Sequence, residues 1–67
     1  MPRKIRQLKA DLQRVGCSQR PGKGSHTVWQ HPFMTNKIVL SGGDGDDAKP
    51  YQERDVREFI QKVEDKS

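Results

Sequence analysis

The sequence predicts a two-layer α+β domain in the order helix, strand, strand, strand, helix, with both helices packed on one face of a three-stranded antiparallel sheet. Three observations carry this. Apolar residues recur at helical spacing near each end of the 67-residue chain, as Ile5, Leu8, Leu12 and Val15 and again as Val56, Phe59, Ile60 and Val63. Between them lie short runs of β-formers punctuated by Gly and Pro. The links between those runs are too short for a parallel crossover, so the strands must pair antiparallel. Two helices with one apolar stripe each can then share a sheet face and leave the other to solvent.

The first helix is expected over about residues 2–15. Pro2 suits a first turn because its missing N–H would be unpaired there anyway. Arg6, Lys9, Gln13 and Arg14 are left for water, and Gly16 stands where a left-handed C-cap wants glycine. Cys17–Arg20 reads as a short strand, with Cys17 and Gln19 on one face and Ser18 and Arg20 on the other. Pro21-Gly22 and Gly24 signal a turn. Ser25–His31 is the best strand, with Thr27, Val28 and Trp29 in series, and Pro32 ends its ladder. Phe33–Asn36 reverses the chain into a third strand, Lys37–Leu40. Ser41–Asp47, with three glycines and three aspartates, is a loop that Pro50 closes. Asp55 and Glu58 have capping-box spacing, with a helix start near Gln52 as the alternative.

Alternation decides what points where. Thr27, Trp29 and His31 share one strand face, and His26, Val28 and Gln30 share the other. A small core cannot leave its largest apolar residue wet, so the Trp29 face is expected inward. His26 then lies on the open face near the strand's start. The two histidines fall on opposite sides and are not expected to act as an acid–base pair.

Bulk properties narrow the class. A chain this short buries only about 60% of the surface its unfolded form exposes, so one thin-cored domain over residues 1–67 is expected. No apolar run is long enough to span a bilayer, and no signal peptide is apparent. Lone Cys17 cannot form an internal disulfide, which fits a reducing cytoplasm. A core without a staple favours a partner, another copy or a different chain. The net charge is +4, unevenly spread. Residues 1–33 carry seven Lys and Arg against Asp11 alone, and residues 34–67 carry six against eight acids. The basic half surrounds the Gly22–His26 turn and points to a polyanion, nucleic acid first. A solvated basic face with nothing bound is the plain alternative.

The turn itself, Gly-Lys-Gly-Ser-His, gathers the chemistry. Imidazole can take a proton from a hydroxyl or return one to a leaving group near neutral pH. Arg20 and Lys23 can neutralise a phosphate, and glycines let a backbone approach it. RNA carries its own nucleophile in the 2′-hydroxyl, so one base in a cationic cradle is enough for strand cleavage without metal. Other signals are weak. Gly-Lys-Gly-Ser lacks Walker A spacing. Asp44, Asp46 and Asp47 lack the later glutamate of a calcium loop. His26, His31 and Cys17 lack zinc-site spacing. Cys17 reads as a small buried residue rather than a nucleophile, and Tyr51 as packing at a helix start. No metal or cofactor is implied.

Gly16, nine residues, then His26 within Gly24-Ser25-His26, with Trp29 three positions on, resembles the HicA toxins of bacterial and archaeal type II toxin–antitoxin systems. His31-Pro32 and Val56-Arg57-x-Phe59-Ile60 fall in the same order, so the resemblance covers nearly the whole chain. It implies a double-stranded-RNA-binding-like α-β-β-β-α fold and an mRNA interferase. His26 is then the catalytic residue, and a HicB-like antitoxin the partner that covers the site. The chain departs from the family at Cys17, where a bulky aromatic is common, and at Pro21, where a base is common and Arg20 can substitute. Its Gly42–Pro50 stretch is longer and acidic. A negative loop beside an RNA groove repels substrate, so this loop is expected to point away or to modulate partner choice.

Two functions follow. In the first the protein is an RNA endonuclease. His26 deprotonates the 2′-hydroxyl or protonates the leaving oxygen, Arg20 and Lys23 steady the phosphate, and Ser25 with the Gly24 amide orients it. In the second it is a non-catalytic module binding double-stranded RNA or a protein, with Arg3, Arg6 and Lys9 of the first helix supplying contacts.

Overall fold

The computed structural model describes residues 2–66. The chain runs α1 (Ile5–Arg14), β1 (Ser18–Pro21), β2 (Thr27–Gln30), β3 (Ile38–Leu40) and α2 (Pro50–Lys66). The sheet is an antiparallel meander in the order β1-β2-β3. Its register sets Gln19 against Trp29 and Arg20 against Val28, then Thr27 against Leu40 and Trp29 against Ile38. This is the expected α-β-β-β-α architecture.

One face of the sheet meets both helices. Trp29, Ile38 and Leu40 join Ile5, Leu8 and Leu12 of α1 and Val56, Phe59 and Val63 of α2 in a single core. Trp29 is fully buried, and its indole N–H donates to Thr27 Oγ1 at 3.0 Å, so the ring's one polar group is satisfied inside. The opposite face stays open, with Val39 53% exposed and Val28 and Gln30 half-buried.

The ends of the helices depart from the sequence reading. α1 begins at Ile5 rather than near Pro2, because residues 3 and 4 are drawn into pairing with residues 47 and 48. Lys4 bridges Asp47, and the Arg3 carbonyl accepts the Ala48 N–H at 2.6 Å. The first turn of α1 contains no acid and no capping hydroxyl. The acidic loop supplies what it lacks: the Asp46 carbonyl accepts the Ile5 N–H at 2.9 Å and the Asp44 carbonyl the Arg6 N–H at 3.2 Å. Those N–H groups are among the four that a helix leaves unpaired at its start, and the loop's main-chain carbonyls satisfy them. Gln7 Oε1 accepts the Lys4 N–H at 2.7 Å.

Helix α2 repeats the device. Pro50 does not close the loop but opens the helix, and Asp55 and Glu58 lie inside it rather than at its cap. Gln52 Oε1 accepts the Lys49 N–H at 2.8 Å while Gln52 Nε2 donates to the Ser41 carbonyl at 3.1 Å. A buried glutamine with its amide fully used therefore pins α2 to the end of β3. Tyr51 stands at the start of α2, as expected, but is 48% exposed, because Gln52 takes the inward position.

At its other end α1 closes as Gly16 foretells. Gly16 has φ +94°, its N–H donates to the Gln13 carbonyl at 3.0 Å, and the Cys17 N–H donates to the Leu12 carbonyl at 3.0 Å. This is a Schellman cap, and Cys17 packs against the core as the cap's apolar partner. Among the described residues, no helix is long and apolar enough to cross a membrane.

Candidate functional site

The hairpin between β1 and β2 carries the site. Gly22 N–H donates to the His26 carbonyl at 2.9 Å, continuing the ladder past Pro21 and Thr27. The His26 N–H donates to the Lys23 carbonyl at 3.0 Å and closes a tight turn through Gly24 and Ser25. Gly24 has φ +58°, a value glycine adopts freely and a residue with a Cβ resists. A Cβ on Gly22 would lie 3.2 Å from both the Cβ and the carbonyl oxygen of His26, so the missing side chain makes room for the histidine.

The same Lys23 carbonyl lies 2.8 Å from Nδ1 of the His26 ring. A carbonyl only accepts, so Nδ1 carries the hydrogen, and the neutral ring presents Nε2 as a bare acceptor. The turn that exposes this imidazole thus also fixes its orientation and tautomer. Ser25 Oγ accepts the Gly42 N–H at 3.3 Å, which fastens the turn to the loop after β3 and leaves the hydroxyl its own proton to donate.

The sequence-predicted residues fall together in part. Lys23, Gly24, Ser25 and His26 form the turn, and all are exposed. Arg20 lies on β1 opposite Val28, on the open face. Alternation places His26 one diagonal step from it, a spacing of about 7–8 Å in an antiparallel pair. Neither Arg20 nor Lys23 enters an ion pair among the described residues.

The charge distribution is sharper than the two halves of the sequence suggest. Four of the seven bases in residues 1–33 are held in ion pairs within the fold: Arg3 and Arg14 share Asp11, Lys4 pairs with Asp47 and Lys9 with Asp44. From Gly16 to Ser41, by contrast, there is no Asp or Glu, and Arg20, Lys23 and Lys37 enter no ion pair among the described residues, though Lys37 shares a hollow with Asp55 and Glu58 of α2. The bases of residues 1–33 left outside ion pairs are Arg20 and Lys23 at the hairpin and Arg6 on α1. Lys37 was missed as a further unpaired base, although the acid-free stretch was legible in the sequence.

The carboxylates of the acidic loop are engaged with groups other than the turn's cations. Asp44 pairs with Lys9, Asp47 with Lys4, and Asp46 Oδ2 accepts the Gly43 N–H at 2.8 Å. Among the described residues no cluster of three or more His, Cys, Asp or Glu is placed to hold a metal.

His31 serves structure. Its Nε2 lies 2.9 Å from the Val15 carbonyl and its Nδ1 accepts the Phe33 N–H at 3.0 Å, so both ring nitrogens are engaged. Cys17 is half-buried, and burial pushes its thiol above the ordinary value, away from nucleophile chemistry. Arg3 donates to Asp11, which holds that carboxyl below its usual range against the opposing effect of burial. A hollow of about 410 Å3 between α1 and α2 contains none of the turn's residues.

These features define a small α-β-β-β-α domain of the double-stranded-RNA-binding-like kind, with an oriented imidazole beside unpaired bases at the hairpin of an open sheet. The family model for the HicA toxin of bacterial toxin–antitoxin systems matches residues 5–62, and the chain belongs to that family. It is therefore a toxin-family protein of a toxin–antitoxin pair, and an antitoxin is its counterpart. No curated protein and no solved structure gives a significant match.

Proposed function

We propose that this protein is a metal-independent endoribonuclease that cleaves mRNA in the cytoplasm as the toxin of a type II pair, as one HicA-like domain spanning residues 1–67. The observation that carries the reading is the His26 ring: exposed, tied through Nδ1 to the Lys23 carbonyl, with Nε2 directed to solvent beside unpaired Arg20 and Lys23. That tautomer favours the base role over the acid role for the resting enzyme. Nε2 takes the proton of a 2′-hydroxyl, the 2′-oxygen forms a bond to the adjacent phosphorus, and the bond from phosphorus to the 5′-oxygen breaks. The leaving oxygen takes a proton from the imidazolium or from solvent. The products are a 2′,3′-cyclic phosphate and a 5′-hydroxyl end. Arg20 and Lys23 offset the charge that builds on the phosphoryl oxygens, and the Ser25 hydroxyl and the Gly24 amide orient it.

A HicB-like antitoxin covering the turn would silence the enzyme by blocking Nε2. The rival reading, a non-catalytic reader of duplex RNA, drew on Arg3, Arg6 and Lys9. Two of those are held in ion pairs, which weakens it. The test is cleavage of a single-stranded transcript by wild type and His26→Ala, with and without a chelator. Wild type cuts in both conditions, and the variant folds and does not cut. A variant that degrades RNA at the wild-type rate overturns the proposal.

A further inference from the structure

At the end of the open face farthest from His26 lies a second hollow, of about 270 Å3, bordered by Ser18, Gln30, Met34, Thr35 and Lys37 and walled by His31 and Pro32. We infer that it is a subsite for one unpaired nucleobase of the RNA, read by the side-chain amide of Gln30; this rests on the endoribonuclease reading above. Its size falls just below the roughly 300–1,000 Å3 of sites for larger organic ligands, on the scale of a single ring system.

Apart from His31, whose two ring nitrogens are engaged, the polar side chains of the hollow are unused. The side chains of Ser18, Gln30, Thr35 and Lys37 make no hydrogen bond or ion pair within the described residues, whereas Gln7, Gln52 and Gln61 each use their amides. Gln30 is half-buried on the open face, and its amide, bonded to no described residue, is free to bond a ligand. Its carbonyl and NH2 present one acceptor beside one donor, the pattern that pairs with a base edge. Pro32 and Met34 supply apolar surface for the ring face. Lys37 brings a positive charge for the adjoining phosphate, and no carboxylate borders the hollow.

Register ties the hollow to the turn. Ser18 and Gln30 are a cross-strand pair, and alternation puts them on the face of Arg20 and Val28. Four residues of strand separate His26 from Gln30, roughly 13 Å. An RNA strand laid along the sheet would place one phosphate at the turn and a nearby base in the hollow. A duplex cannot do this, because its bases are stacked and paired and none can be splayed into the hollow. The subsite therefore selects single-stranded RNA.

Two measurements test this. In the cleavage assay, Gln30→Ala flattens the preference for one base near the cut by about tenfold, and Gln30→Glu, which replaces the donor by an acceptor, changes the base preferred. In a binding assay with His26→Ala protein, a single-stranded oligoribonucleotide moves the Gln30 side-chain NH2 resonances, and the same strand annealed to its complement does not. An unchanged cleavage profile in both variants overturns the subsite, as does a Gln30 amide that ignores single strands or answers duplex equally. If wild type does not cut but single strands still move the Gln30 amide, the nuclease reading falls and the subsite stands.

Discussion

A histidine flanks each end of β2, the two lying five positions apart, and the fold uses them in opposite ways. At the head, His26 is held by one nitrogen and offers the other to solvent. At the tail, His31 gives Nε2 to the last carbonyl of α1's cap and takes the Phe33 N–H on Nδ1, with the Phe33 ring 5.0 Å away. A Cβ on Gly16 would sit 3.4 Å from His31 Nε2, so the cap glycine and the histidine are fitted to each other. The lesson is that availability, not residue type, separates chemistry from architecture: an imidazole with both nitrogens engaged cannot receive a substrate's proton.

Substitutions that exchange those roles break the comparison most directly. His26→Ala should lower RNA cleavage by about 10²–10⁴-fold, the usual worth of a general base, while the urea midpoint stays within about 0.5 kcal/mol of wild type. His31→Ala should do the reverse. It leaves the Val15 carbonyl without its partner and should lower stability by about 1–3 kcal/mol in urea unfolding, with cleavage per folded molecule falling far less than in His26→Ala. If His31→Ala lost activity at full stability, the division of labour would be wrong. Gly22→Ala sharpens the picture from the turn side. The new methyl group must move His26 by a few tenths of an ångström, which should slow cleavage about tenfold with RNA affinity unchanged.

The smallest expected effect lies away from β2. The Asp11 carboxyl is held below its usual range by the hydrogen bond from Arg3 and by the nearby Arg14. A depressed carboxylate contributes stability that is present above the unfolded value, about 3.9, and is lost as pH falls from there toward the folded value. Urea midpoints should therefore drop across that acid window in wild type and drop less in Asp11→Asn. An equal slope in both would remove Asp11 from the acid response. Because Asp11 contacts neither histidine, cleavage near neutral pH should be unaffected.

Much of the site was legible because it is local. The Gly-Lys-Gly-Ser-His turn is a run of five residues, and alternation along one strand was enough to set Trp29 inward and His26 toward solvent. The apolar stripes gave both helices, since a period of 3.6 residues leaves a readable trace. Their starts were misplaced because neither is capped by a short polar side chain in the usual position. Loop carbonyls some forty residues away cap α1, and a buried glutamine caps α2.

The sequence by itself determined the order of elements, the strand faces and the identity of the exposed imidazole, because each depends on spacing along a few consecutive residues. Only the tertiary structure decided which cations remain available. Ion pairs between α1 and the acidic loop join residues 35 and 43 positions apart, and no local pattern encodes such a meeting. It likewise decided the tautomer of His26 and the structural duty of His31, because a ring nitrogen's role is set by the carbonyl or N–H that folding brings to it.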